Sequence, residues 1–106
     1  REDLGNENEL NIPKQFALNQ NYPNPFNPIT YIEFELPEAA RIHLSIIDID
    51  GREVMSIVNN VNLETGYYHY TLNSTGLSSG MYFYKMIAVP ASGQTFTATK
   101  KLVLLK

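Results

Sequence analysis

From Thr30 onward, apolar side chains recur at every second residue, and no window combines helical periodicity with helix caps. Ile32, Phe34 and Leu36 alternate with Tyr31, Glu33 and Glu35, and Pro37 closes the run. Ile42, Leu44 and Ile46 alternate in the same way with Arg41, His43 and Ser45. A period of two gives a strand one dry face and one wet face. Burying each aliphatic side chain is worth roughly 1.5–3 kcal/mol, so the two triplets are the first part of a core. Asp50-Gly51 predicts a two-residue type I′ turn joining a strand over Arg41–Ile49 to one over Arg52–Val58. Asn59-Asn60 and Glu64-Thr65-Gly66 bound a loop.

A strand over Tyr67–Leu72 follows, with Tyr68, Tyr70 and Leu72 on one face and Tyr67, His69 and Thr71 on the other. Asn73–Gly76 and Ser78–Gly80 punctuate the next connection, with Leu77 as its apolar plug. In Met81–Val89, Lys85 marks the outward face, which turns Tyr82, Tyr84 and Met86 inward. Pro90–Gly93 is a turn, and Gln94–Leu105 is the last strand. With a short strand near Phe16–Leu18, about seven antiparallel strands and no helix predict an all-β sandwich.

A length of 106 residues suits one domain with one core. The chain has no cysteine, which excludes disulfides and thiolate-held metals but does not report the compartment. The net charge of −3 does not suit a surface that tracks nucleic-acid phosphates. No apolar run approaches the ~20 residues of a transmembrane segment. Arg1–Glu9 is polar and acidic, with neither an initiating Met nor a signal-peptide core. Residues 1–14 therefore read as a flexible linker to an upstream domain, and 15–106 as the folded unit.

One stretch is too specific for composition to produce. Within Leu18-Asn19-Gln20-Asn21-Tyr22-Pro23-Asn24-Pro25-Phe26-Asn27-Pro28, the segment Tyr22–Pro28 sets three prolines and two Asn-Pro steps in a stiff loop. Tyr22 and Phe26 supply apolar anchors that would pin it to a core. Three further motifs follow in order: Asp48–Val54 around Asp50-Gly51-Arg52, Gly76–Tyr84, and Lys101-Leu102-Val103-Leu104-Leu105-Lys106. Together they resemble the type A C-terminal sorting domain of the bacterial type IX secretion system, over Phe16 to Lys106.

The resemblance implies an immunoglobulin-like sandwich, similar to that of flagellar hook-capping proteins. It implies a non-enzymatic signal that takes an upstream cargo domain through the outer-membrane translocon, for surface attachment or release. Its implied partners are the translocon, outer-membrane shuttle components and a cell-surface sortase that cuts upstream of the domain and joins the cargo to an anionic lipopolysaccharide. The implied route runs through the periplasm to the cell surface or medium. The part read by the machinery is Lys101, Leu102, Val103, Leu104, Leu105 and Lys106. Asp50 departs from the family pattern, in which that turn position is more often apolar, and the Pro90–Gly93 turn is longer than usual.

Signals for chemistry are weak beside this. Gly76-Leu77-Ser78-Ser79-Gly80 matches a nucleophile elbow, but a strand follows it and the last histidine, His69, precedes the serine. Asp48-x-Asp50-Gly51 starts like a calcium loop, yet Gly51 comes too early and Asn59 stands where the bidentate Glu belongs. A hydrogen bond from Asp48 to its own turn is the simpler reading. His43 and His69 lack ligand spacing and fall on outward faces. Glu33 and Glu35 are alternate positions on one polar strand face rather than an acid–base pair. Asn73-Ser74-Thr75 is read as a turn. No metal or other cofactor is implied.

Two other functions stay open. The tyrosine-rich strands suit an accessory carbohydrate- or cell-wall-binding module of an extracellular enzyme, with Tyr67 and Phe83 on outward faces. The domain could also be a structural spacer.

Overall fold

The computed structural model describes residues 12–106. Seven strands run in chain order: β1 (Ala17–Leu18), β2 (Ile29–Leu36), β3 (Ala40–Ile47), β4 (Glu53–Leu63), β5 (Gly66–Asn73), β6 (Gly80–Pro90) and β7 (Phe96–Leu104). They form a three-stranded sheet, β1-β2-β5, and a four-stranded sheet, β4-β3-β6-β7, with every strand pair antiparallel. The result is the all-β sandwich that the alternation predicts. Strands 1, 2 and 5 against 3, 6 and 7 is the immunoglobulin-like division, with the fourth strand paired to the third.

The inner faces meet in one core. Ile32, Phe34 and Leu36 from β2 face Ile42, Leu44 and Ile46 from β3, together with Tyr84 and Met86 from β6 and Leu102 and Leu104 from β7. Both apolar triplets are fully buried, as their period requires. Tyr68 and Tyr70 share the inner phase but are only half-buried, because β5 is a sheet edge; they stack nearly flat against Phe34 at 5.1 and 5.7 Å. Tyr68 donates its hydroxyl to the Glu64 carbonyl, and Tyr82 donates to that of Ser78. These rim bonds let a tyrosine serve as a core residue.

Two connections differ from the expectation. The turn between β3 and β4 has three residues, Ile49-Asp50-Gly51. Gly51 N–H donates to the Asp48 carbonyl, Asp48 N–H donates to the Arg52 carbonyl, and only Gly51 takes a positive φ (88°). This is a type I turn closed by a left-handed glycine, and it leaves Asp50 in ordinary backbone space. Asp48 supports the turn as expected, since its Oδ1 accepts from the N–H groups of Arg52 and Asp50. Those donors, the Arg52 N–H first, hold its carboxyl below the usual range.

Asn59-Asn60 opens no loop. Strand β4 runs on to Leu63, absorbing Val54, Ile57 and Asn60 as extra residues at three register shifts, with Asn60 at φ 55°. A bulged strand bends and twists, which suits the edge position of β4.

Candidate functional site

The tail segment obeys the same alternation as the rest of β7. Leu102 and Leu104 are fully buried, Val103 is half-buried, and Lys101, Leu105 and Lys106 are exposed. On one side the segment pairs with the start of β6, Gly80 to Phe83. Its other side is also occupied, by the proline-rich loop. Gln20 Nε2 donates to the Lys101 carbonyl at 2.8 Å, and Val103 N–H donates to Asn24 Oδ1 at 2.9 Å. Phe26 N–H donates to the Val103 carbonyl at 3.0 Å, and Leu105 N–H donates to the Phe26 carbonyl at 3.1 Å. The loop thus lies beside the tail as a short parallel addition to the sheet. Lys106 N–H donates to Ser79 Oγ.

Phe26 fixes the loop as expected, being 3% exposed within the core. Tyr22 does not. Its backbone exchanges hydrogen bonds with Tyr31, which turns the ring to the outside of the sheet, and it is 77% exposed. The second anchor is polar. Asn21, 3% exposed, donates Nδ2 to Thr30 Oγ1 and to the Pro23 carbonyl, and its N–H donates to the hydroxyl of Tyr84. Tyr84 donates in turn to the Asn19 carbonyl at 2.6 Å. Burial pushes the Tyr84 phenol up to about 12. The peptide bonds before Pro23, Pro25 and Pro28 are cis.

Tyr84 thus ties the loop to β6, and the loop ties down the tail. Sequence reasoning gave no role to Gln20, Asn21, Thr30 and Ser79: three are polar residues in loops, which carry no periodic signal, and Thr30 is a polar residue in the inward phase of β2. One clue was available: an inward tyrosine on a central strand must find a partner for its hydroxyl.

The elbow-like serines belong to an ordinary loop. Leu77 N–H donates to the Ser74 carbonyl with Gly76 at φ 98°, a type II turn, and Gly80 starts β6 directly. Asn73 Oδ1 accepts from the N–H and hydroxyl of Thr75, so the turn reading holds. Among the described residues, no group of three or more His, Cys, Asp or Glu side chains could hold a metal. His43 is more buried than an outward position implies: its side chain is 18% exposed, with Nε2 2.8 Å from Glu53 Oε1. His69 is exposed and lies 3.1 Å from Glu33.

Residues 20–105 match the family model described as the secretion system C-terminal sorting domain. The chain belongs to that family. A search of curated proteins returned no match. The sorting domain is the signal carried by type IX secretion cargo, and it marks its protein as secreted or displayed at the cell surface. Sorting-signal domains are in general non-catalytic. The matched span covers strands β2 to β7, begins just after β1, and includes both halves of the loop–tail contact.

Proposed function

We propose that the type IX translocon reads residues Lys101–Lys106 of this sorting domain in their folded, loop-backed form. The observation that carries this reading is the occupation of the tail's backbone. Strand β6 holds one edge and Gln20, Asn24 and Phe26 hold the other, so strand addition meets the Lys101 carbonyl, both Val103 backbone groups and the Leu105 N–H already taken. What remains for recognition is the row of side chains: Lys101, Leu105 and Lys106, flanked by the exposed prolines of the loop. Leu102 and Leu104 act by holding that row in register.

The upstream cargo reaches the periplasm by its own export signal and crosses the outer membrane with this domain. A cell-surface sortase then cuts within residues 1–14, and attachment to a lipopolysaccharide or release follows. Outer-membrane shuttle components are the first contacts, and the sorting domain itself performs no catalysis. The test is a fluorescent reporter with an export signal, fused ahead of the domain in a type IX-competent bacterium. Delivery to the surface or medium is expected, lost in a translocon-deficient strain and lost on removing Lys101–Lys106. Normal display of that truncation would overturn the assignment of the tail.

A further inference from the structure

The outer face of the three-stranded sheet bears an arrangement that the proposed recognition of the tail does not use. Cross-strand partners project their side chains to the same side, so the register sets out rows on this face. Tyr31 stands opposite Thr71, Glu33 opposite His69, and Glu35 opposite Tyr67. The Asn19 N–H donates to the Glu33 carbonyl, which continues the middle row onto the first edge of the sheet. Tyr31 is 39% exposed and Tyr67 59%, far more than a core tyrosine such as Tyr84. The exposed Tyr22 lies next to Tyr31 across the Tyr22–Tyr31 bridge. Between the aromatic ends, Asn19, Glu33, Glu35, Tyr67 and His69 line a shallow hollow of about 280 Å³.

We infer that this face binds an uncharged oligosaccharide lying along the strands. Tyr31 and Tyr67 are four register steps apart, about 13 Å at the rise of a β-strand, a span that covers two or three sugar rings. Each tyrosine offers an amphipathic ring to the apolar C–H face of a sugar. The groups between them match hydroxyls: carboxylates accept, the Asn19 amide both donates and accepts, and His69 adds a ring nitrogen. The His69 ring is held by two contacts, 3.1 Å to Glu33 Oε2 and 5.0 Å between centroids to Tyr31. Glu33 and Glu35 disfavour phosphorylated, sulfated or uronic acid sugars on the same face, which is why the occupant is uncharged. Half the row is polar, which ill suits an apolar protein docking surface.

The test is independent of secretion. The chain has no tryptophan, and Tyr22, Tyr31 and Tyr67 are the exposed ones among its seven tyrosines, so part of the tyrosine fluorescence reports on this face. The purified domain is titrated with hexaoses of glucose, mannose and N-acetylglucosamine, with a hexagalacturonate, and with an oligolysine peptide. Saturable quenching by at least one of the three uncharged hexaoses is expected. Tyr67→Ala should weaken it about tenfold or more, while Tyr67→Phe, which keeps the ring, retains most of it. Glu33→Gln serves as a second variant should Tyr67→Ala unfold. Thr97→Ala, on the other sheet, should leave binding unchanged. The proposal is overturned if no uncharged hexaose saturates at millimolar concentration, if the hexagalacturonate or the peptide binds more tightly, or if neither Tyr67→Ala nor Glu33→Gln weakens binding.

Discussion

Tyr84 concentrates at one hydroxyl the connection between the core and the proline-rich loop. Replacing it with phenylalanine keeps the ring but leaves the Asn19 carbonyl and Asn21 N–H without their partner. A loss of about 1–3 kcal/mol is expected for Tyr84→Phe, read from denaturant unfolding at neutral pH. Alkali should act on the same atom. Its phenol is raised to about 12 from an ordinary value near 10, so the folded state favours the protonated form. That contribution is whole below about pH 10 and disappears as pH rises through about 12. Unfolding followed across that window should show wild type losing more stability than Tyr84→Phe. Gly51 is the other sensitive position. No atom lies within 4 Å of where a Cβ would stand, but φ is 88°, so Gly51→Ala should cost about 1 kcal/mol through backbone strain alone, measured as a lower midpoint at unchanged m-value.

At the scale of elements, what was legible followed from period. The buried faces of β2 and β3, and Tyr82, Tyr84 and Met86 on β6, sit where alternation puts them. Composition misled at two turns. Asp50-Gly51 suits a type I′ turn, but Asp48 offers its side chain to two backbone donors and favours the longer loop. Asn59-Asn60 suits a turn, yet a bulge also accepts asparagine with positive φ, and local sequence does not distinguish the two. The tail motif was visible by resemblance; the loop that lies on it was not, because contact between residues so distant in the chain has no local trace. Phe26→Ala should loosen that contact. Amide exchange at Val103 and Leu105 is expected to accelerate more than at Ile32 or Leu44 in the core strands, at an overall cost of about 3–5 kcal/mol. Equal acceleration throughout would mean that loop and tail do not open as a unit.

For the whole molecule, the four-stranded sheet ends in two edges that are guarded differently. Strand β4 carries its register shifts. Ahead of the loop contact, β7 carries Lys100, a half-buried lysine in the same inward phase as Leu102 and Leu104. A charge directed inward on an edge strand makes edge-to-edge pairing costly. Lys100→Val should therefore promote self-association, visible as a concentration-dependent increase in sedimentation coefficient. An unchanged coefficient would assign edge protection to other features.

Gln20 and Lys101 are separated by 81 positions, and Asn24 and Val103 by 79. The segment proposed as the address, residues 101–106, takes its shape only once the far end of the domain has come round to meet it. A broken or half-built copy carries the same letters but not the same seal, so an exporter that reads the closed form would also be inspecting whether the molecule is finished.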